Sequence, residues 1–537
     1  MPDQRDPSPD PDPWWRGGVV YNAYPRSWKD TNADGFGDLA GIIEKLEHLA
    51  WLGVDGLWLN PTMPSPDHDW GYDIADYRGV HPDFGDHEDL QRLIEIAERL
   101  GVRVLMDLVP SHTSDEHRWF AASRSATTSP FRDYYVWRPP APDGGAPNNW
   151  LSHFGGPAWT LDPATGEYYL HSFSPHQPKL NWWNPAVRAE FDEILRFWFD
   201  RGVAGVRIDA LQTLFHDPEF RDDPPATEQD GTTERALGRR FAHSGGHPRV
   251  HEAIRHWRAL GEEYRSARLL FGETWVPSVD ALAAYYGNGS DELHLAWNVP
   301  FLQARFTAPA LHEVIGRTLD RLPADAWPVW AMSTHDGDGR AATRWCRGEP
   351  AAVRCALLLL LTLRGTPVLY YGDEIGMVEP GAELLTHSVR DLAEPHGHRD
   401  AGRTPMQWDG GPDGGFSTSA RPWLPIAGGP GLNVADQRED PMSTLNLCRD
   451  LIALRRTLPD LATGPMTLLP LRGDILTWHR GTLTVALNLG NAPASLPATG
   501  TIRVSTAGPR AGEPVPSAVR MEPYEGLVIE EDPDRPL

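Results

Sequence analysis

Residues 102–112 read VRVLMDLVPSH, and residues 202–210 read GVAGVRIDA. Each is a short apolar run that ends in an acidic residue, Asp107 in the first and Asp209 in the second. Continuous apolar character over so few residues is the pattern of a strand buried on both faces, hence of a parallel sheet covered by helices. Working outward, runs of the same kind occupy 18–21, 56–59, 269–271, 294–297, 328–332 and 366–371. With 102–108 and 203–208 they make eight. Between them apolar residues recur at helical spacing: Leu39, Ile42, Ile43, Leu46 and Leu49 form one stripe, and Leu90, Leu93, Ile94, Ala97 and Leu100 another. Further helices are predicted near 185–199, 250–263 and 349–363. Eight alternations of strand and helix predict an α/β fold, a closed (β/α)8 or TIM barrel. An open doubly wound sheet would show the same periodicity.

Two stretches interrupt the alternation. Residues 113–184 hold Pro, Gly, Asn and many aromatics without a long helix, and read as an irregular subdomain B inserted after strand three. Residues 214–248 are polar and read as a long loop, which a barrel places at its catalytic face. Beyond 458 short alternating runs, such as 474–478 and 482–487, sit between turn residues and predict an all-β C-terminal domain. The expected division is a disordered tail over 1–16, a barrel over 17–112 and 185–457, the insertion over 113–184, and a C-terminal β-sandwich over 458–537.

The 537 residues suffice for one large barrel and one smaller domain. Lys and Arg number 49 against 74 Asp and Glu, a net charge of −25 that repels nucleic acid and anionic membranes. Cys346, Cys355 and Cys448 are scattered and odd in number, which argues against a disulfide framework. The N-terminal MPDQRDPSPDPDPWW has neither the basic nor the apolar region of a signal peptide. The longest apolar run, ALLLLLTL at 356–363, falls short of the roughly 20 residues that span a bilayer. A cytoplasmic protein is expected, with no membrane or nucleic-acid partner, as a monomer or small homo-oligomer.

Acidic residues fall repeatedly where strands end. Asp107 and His112 follow strand three, Arg207 and Asp209 strand four, Glu273 (in LLFGETW) strand five, and His335 and Asp336 (in AMSTHDGDGR) strand seven. Buried charge is costly, so four strands that share this feature point to a task at one end of the barrel. Glycoside cleavage needs two carboxyl groups flanking the bond, one to donate a proton and one to attack carbon or activate water. Metal-assisted hydrolysis would want histidines at i, i+2 or i, i+4 beside these carboxylates, and no such pair stands at these strand ends.

In order along the chain stand VVYNAYPRSWKDTNADGFGDLAGI, DWGYDIADY, DLVPSHTSDEH, QPKLNWWNP, GVAGVRIDA, FGETW, STHD, GTPVLYYGDEIGM and RTPMQWD. Through these motifs the chain resembles the α-amylase superfamily of glycoside hydrolases, in its oligo-1,6-glucosidase and α-glucosidase branch, from Val20 to about Val528. The resemblance implies that Asp209 is the nucleophile and Glu273 the general acid that then becomes the base, with Trp275 beside it excluding water. It implies that Asp336 grips the sugar's secondary hydroxyls. His112 and His335 would donate to hydroxyls of the bound glucose. Asp69 and Tyr72 would close the same subsite, and Arg403 would reach the non-reducing end. Arg207, two residues from Asp209 on one strand and so on the same face, would hold it ionised. Asp107 would support the site through hydrogen bonds near Arg207. The implied retaining chemistry calls for Asp209 and Glu273 carboxyls about 5–5.5 Å apart.

Asp30, Asn32 and Asp34 alternate like the first half of an EF-hand loop, with Gly35 at the turn, but the twelfth position is Gly41 rather than Glu. The resemblance implies a structural Ca2+ held by Asp30, Asn32, Asp34, the Phe36 carbonyl and Asp38. The alternative is an Asx-turn loop without metal. No organic cofactor is expected. Four departures from the family's pattern stand out. Ser111 replaces an Asn that ligates a second calcium in true α-amylases, Lys179 replaces the Asp of QPDLN, and Thr334 replaces Asn. The segment after Asp336 is one residue longer, which leaves Arg340 outside the expected site. Ala210 after the nucleophile accompanies α-1,4 preference in this branch. The expected activity is exo-acting release of glucose from the non-reducing end of maltose and short α-glucosides. Two alternatives are a glucosyl-transferring or isomerising relative, such as a transglucosidase or trehalose synthase, and a non-catalytic transporter-associated module. Retention of Asp209, Glu273 and Asp336 and the lack of a membrane segment disfavour the module.

Overall fold

The computed structural model describes residues 13–385, 399–418 and 421–531. Eight parallel strands form its central sheet: β1 (Val20–Ala23), β2 (Gly56–Leu59), β3 (Arg103–Leu108), β4 (Gly205–Ile208), β5 (Leu269–Gly272), β6 (Leu295–Ala296), β7 (Val329–Ala331) and β8 (Thr366–Tyr370). Their spatial order is β7-β8-β1-β2-β3-β4-β5-β6. Val20 of β1 pairs with Val368 of β8 on one side and Gly56 of β2 on the other. The order follows the chain and never reverses, and the first strand lies beside the last. A doubly wound sheet reverses at a switch point; a barrel does not, and the ambiguity left by periodicity is resolved in its favour.

The strands are apolar on both faces because each face has its own core. Val20, Trp58, Leu105, Leu269, Phe271 and Val329 pack together inside the barrel. Tyr21, Leu57, Val104, Met106, Val206 and Leu270, one residue out of phase, join the core shared with the surrounding helices. The helix Leu39–Leu52 shows how those helices are set. Asp38 caps its first turn by accepting from the Gly41 amide, worth about 1 kcal/mol. Leu39, Ile42, Leu46, Leu49 and Leu52 are buried, and Gly53 ends the helix at φ 94°, where a side chain would be strained. His87–Arg99 is started by a capping box between Asp86 and Asp89. The helices Pro185–Phe199, Val250–Glu262 and Pro350–Thr362 fall where the apolar spacing predicts them.

Of the expected tail over 1–16, residues 1–12 lie outside the described residues. Residues 13–16 are ordered: Trp15 is buried, its ring 4.7 Å from that of His294, and it joins the barrel's inner core with Trp327. The Pro- and Asp-rich composition before it concealed two tryptophans that close the barrel floor. The insertion after β3 carries the helix Arg118–Ser125 and a three-stranded antiparallel sheet, Trp137–Arg138, Glu167–Leu170 and Trp159–Asp162. The stretch 214–248, expected as a loop, contains one short helix, Thr232–Leu237. After the helix Thr444–Thr457, a six-stranded antiparallel sheet and a two-stranded one enclose a separate core of Ile475, Leu496, Ile502, Met521 and Leu527. That β domain is pinned to the barrel by Arg480, whose guanidinium donates to the Thr362 carbonyl at 2.7 Å. The three cysteines are buried and unpaired. No helix among the described residues is long and apolar enough to cross a membrane.

Candidate active site

The alternation that gives the barrel its inner core also aims its acidic residues. Asp107 has the phase of Leu105, Arg207 and Asp209 that of Gly205, and Glu273 that of Phe271, so all four point into the barrel at the strands' C-terminal ends. Arg207 joins them. Its Nη1 donates to Asp107 Oδ1 at 2.9 Å and to Asp209 Oδ1 at 2.7 Å, and its Nη2 lies 2.6 Å from Glu273 Oε1. The guanidinium carbon sits 5.2 Å from the Trp58 ring, which covers it from the barrel interior. Glu273 Oε2 accepts the Ala210 amide at 2.8 Å, and Ala210 takes the left-handed φ of 43° that aims that N–H inward.

One cation faces three buried carboxyls, so their proton affinities are raised. Burial pushes Asp107 up to about 6 against the pull of Arg207. Burial, and then the charge of Glu273, pushes Asp209 well above the usual carboxylate range. Burial also raises Glu273, which Arg207, the Ala210 amide and a hydrogen bond to Asp209 partly offset. The proton affinities of Asp209 and Glu273 are linked through their mutual interaction. Asp336 is the opposite case. Burial would raise it, but His335, Arg399, Arg403 and Arg207 together hold it below its ordinary value. Burial lowers His335 itself to about 3, so at neutral pH the acting cations are the arginines.

These groups open into a cavity of 540 Å3. Its lining includes Asp69, Tyr72, His112, Asp209, Glu273, His335 and Asp336, together with Trp275 and Ala210. Tyr72 and His335 are tied to one another. The rings stack at 5.5 Å and 4°, and the Tyr72 hydroxyl lies 2.8 Å from His335 Nε2 and donates to Asp107 Oδ2 at 3.0 Å. Asn60, at the end of β2, donates to the Tyr72 hydroxyl at 2.9 Å and lies 3.3 Å from His335 Nδ1. His112 Nε2 lies 3.0 Å from the Tyr72 carbonyl, and its Nδ1 is buried without a hydrogen-bond partner.

Two of the expected residues stand behind the cavity wall. Arg207 is the bridge beneath the carboxyls. Arg403 is fully buried, with Nε donating to the His335 carbonyl at 2.9 Å and Nη2 3.7 Å from Asp336 Oδ1. Among the described residues the arginine that lines the cavity is Arg399, four residues earlier, which donates to Asp69 Oδ1 at 2.7 Å. Gln177 donates to the other Asp69 oxygen at 2.8 Å. Phe154 and Phe173 supply apolar wall from the insertion. None of these four carries a strand-end signal; Gln177 lies in the QPKLN motif, which the resemblance could have nominated. Lys179 of the same motif is fully buried, its ammonium bonded to the Thr213 carbonyl. Burial lowers its pKa to about 7.

The acidic loop forms a chain of turns held by its own side chains. Asp30 accepts the amides of Asn32, Ala33 and Gly35 and the Ser417 hydroxyl. Asn32 accepts the Asp34 amide, Asp34 the Phe36 amide, and Asp38 the Thr31 and Gly41 amides. Its donors are all oxygen and three are carboxylates, which suits a hard cation. Ligation would require Asp30 and Asp38 to release some of these partners.

Comparison with known proteins agrees with this architecture. A model of the alpha-amylase catalytic domain family matches residues 22–464. A probable alpha-glucosidase of Rhizobium meliloti (strain 1021) is 41% identical over 492 residues, 88% of each chain. An oligo-1,6-glucosidase of Heyndrickxia coagulans is 36% identical over 496 residues, 85% of this chain and 87% of that one. Among solved structures, that of the alpha-glucosyl transfer enzyme XgtA superposes with a TM-score of 0.89 at 35% identity, over 97% of this chain and 100% of that one. With its motifs, its barrel and its relatives in agreement over most of its length, the chain belongs to the α-amylase family of glycoside hydrolases, in the branch of the α-glucosidases and oligo-1,6-glucosidases.

Proposed function

We propose that the chain is an exo-acting, retaining α-glucosidase that releases glucose from the non-reducing end of maltose and short α-glucosides, with α-1,4 linkages preferred. The observation that carries this reading is the single guanidinium of Arg207, 2.7 Å from Asp209 and 2.6 Å from Glu273. A shared bridge of that size suits the carboxyl spacing of about 5–5.5 Å used in double displacement, and leaves no room for the water that an inverting pair must hold. The cavity's 540 Å3 is that of a small-molecule site, and the Asp69–Arg399 pair at its wall supports exo action.

In this reading Glu273 carries the proton. A glycosidic oxygen can accept but not donate, so substrate binding favours the proton on Glu273 and the positive charge developing at C1 favours Asp209 as the anion. Glu273 gives its proton to the leaving oxygen as the C1–O bond breaks, and Asp209 forms a bond to C1. Water then attacks C1, its proton returns to Glu273, and Asp209 leaves. Asp336, anionic under its arginines, binds the secondary hydroxyls and stabilises the oxocarbenium-like transition state. Asp69, Arg399 and Gln177 hold the rest of the ring's hydroxyls beside His112 and His335, and Tyr72 supplies a stacking face. Arg403 acts through His335 and Asp336.

The test is a panel of glucosyl disaccharides with wild type and Asp209→Asn, with proton NMR of the first-formed anomer. Maltose should be cleaved with α-glucose formed first, and Asp209→Asn should be inactive. Activity in the variant, β-glucose as first product, or a clear isomaltose preference overturns the corresponding part. Likeness to a glucosyl transfer enzyme and the apolar Phe154 and Phe173 beside the site favour a second reading, in which a sugar rather than water resolves the intermediate. Dominant transfer products at high maltose concentration would establish it. Ca2+ in the Asp30–Asp38 loop is part of the proposal as a structural ion, supported by the all-oxygen donor set. An unchanged Tm after chelation, with no cation in elemental analysis, removes it. A cytoplasmic setting is likewise proposed, supported by three unpaired thiols.

A further inference from the structure

Two of the departures from the family's pattern, Ser111 and Lys179, meet at Thr213, in the turn that follows Asp209. That turn is strained. Ala210 stands at φ 43° and ψ 43°, a left-handed conformation that a residue with a Cβ adopts only under constraint. The conformation matters to the site because it aims the Ala210 amide at Glu273 Oε2, 2.8 Å away. Relaxed to an ordinary φ, Ala210 would turn its N–H away from that oxygen.

The constraint comes through Thr213. Its amide donates to the Ala210 carbonyl at 2.9 Å, and its hydroxyl donates to the same oxygen at 2.7 Å. With that hydroxyl's one hydrogen committed, the Ser111 hydroxyl, 2.6 Å away, is the donor to Thr213 Oγ1. The Lys179 ammonium donates to the Thr213 carbonyl. All three side chains are buried. The backbone of Lys179 is fixed in the inserted subdomain, its amide donating to the Leu170 carbonyl at 2.8 Å. A hydrogen-bonded path thus runs from the insertion through Lys179, Thr213 and Ala210 to Glu273. Among the described residues no carboxylate is paired with Lys179, and a buried ammonium without one destabilises the fold. Backbone strain, for its part, persists only where neighbours over-determine it, and it collects at functional sites.

We propose that Lys179, with Ser111, is a positioning residue for Glu273: it clamps Thr213, which holds Ala210 left-handed and so keeps an N–H on the Glu273 carboxyl. The lysine then has opposite effects on the fold and on the reaction. Its buried charge lowers stability, and its bond to Thr213 raises turnover. The clamp itself is independent of the α-glucosidase reading; its effect on turnover rests on that reading, in which Glu273 is the acid/base.

The test is Lys179→Met in the full chain at pH 6. There the lysine keeps its proton, and His112 and His216, which feel its charge, are neutral. The kcat on maltose should fall by about tenfold, the scale of the backbone strain released, with KM little changed and Tm no lower than in wild type. Glycine takes a left-handed φ without strain. In an Ala210→Gly background the same substitution should therefore cost less than about threefold. The alkaline limb of kcat/KM should move to higher pH, because a carboxylate that loses an N–H donor holds its proton more tightly. A lysine that served only the fold would move neither the limb nor the ratio between the two backgrounds. Hydrogen exchange over residues 209–214, followed by mass spectrometry, reads the clamp without activity and should quicken in Lys179→Met. Unchanged exchange, an unmoved limb, or an equal loss of kcat in both backgrounds overturns the proposal. Faster exchange in a protein that cleaves no α-glucoside upholds the clamp and counts against the functional reading. If Lys179→Met fails to fold, Thr213→Val, which removes the hydroxyl from the Ala210 carbonyl, decides by the same exchange measurement: unchanged exchange there overturns the clamp, and faster exchange upholds it.

Discussion

Replacing Lys179 with Met should make the protein more stable at pH 6 and no more stable at pH 10. The lysine is fully buried, its one hydrogen bond goes to the Thr213 carbonyl, and no carboxylate offsets its charge. Burial lowers its pKa from 10.5 to about 7. The unfolded chain thus holds this proton up to pH 10.5 and the folded chain only below about 7. Between those values the unfolded state binds more protons, so stability rises with pH across the window. At pH 6 the buried ammonium costs about 5 kcal/mol relative to a neutral group, at about 1.4 kcal/mol per pH unit of the gap. Loss of the bond to Thr213 returns about 1.5–3 kcal/mol, because the donor is charged. The net gain for Lys179→Met at pH 6 is then about 2–3.5 kcal/mol, an increase of a few degrees in Tm. At pH 10 the charge penalty has almost gone and the lost bond dominates, so the difference should vanish or change sign. His112 and His216 feel the same charge and carry a smaller part of the difference below neutrality. The assay is thermal unfolding of both proteins from pH 6 to 10. A difference independent of pH would refute the reasoning.

Glu273→Gln should lower kcat on maltose by about 10^2–10^4, with much less effect on a glucoside whose leaving group needs no protonation; an equal loss on both removes Glu273 from the acid role. The activity's basic limb should lie above the ordinary carboxylate range, because burial raises Glu273 and Asp209 and a proton is required on the pair. A pH–rate profile that falls at pH 5 on its alkaline side contradicts this. Arg399→Met leaves the buried Asp69 without its 2.7 Å partner and loosens Asp336, and should lower kcat/KM by about 10–100-fold, as expected for one charge-assisted hydrogen bond. Initial rates at low maltose test it.

Strand ends were legible because a buried strand needs an unbroken apolar run, and Asp107, Asp209 and Glu273 interrupt that run visibly. Their shared face followed from a period of two. Closure of the sheet was not legible, since the pairing of Val20 with Val368 joins residues far apart in the chain and leaves no local pattern. Arg399, Gln177, Phe154 and Phe173 were hidden for a related reason: they sit on irregular segments, where no periodicity tells a wall residue from a surface one. Among the arginines of one short 3-10 helix, the motif points to Arg403, yet Arg399 faces the cavity and Arg403 lies behind it. Trp15 was masked by the Pro and Asp around it. Asn60 was missed because a single amide at the end of β2 carries no charge to stand out in an apolar run.

The sheet also explains why the two carboxyls have the spacing proposed for them. Arg207 of β4 pairs with Phe271 of β5 and Ile208 with Gly272, so the next residues in register are Asp209 and Glu273. Neighbouring strands lie about 4.8 Å apart. Side chains that leave adjacent strands in the same phase keep roughly that distance unless their rotamers diverge, and Arg207 prevents divergence by holding both. The register on the other side places Asp107 directly beside Arg207, which fixes the guanidinium at its base. A pair about 5 Å apart is thus the natural product of putting the proposed nucleophile and acid on consecutive barrel strands, and the wider gap of an inverting pair would require strands that are not neighbours or a shift of register. A one-residue shift would turn either carboxyl out of the barrel into the helical core. The proposed retention would follow from strand adjacency in this architecture, with substrate preference left to the loops that carry Asp69, Gln177 and Arg399.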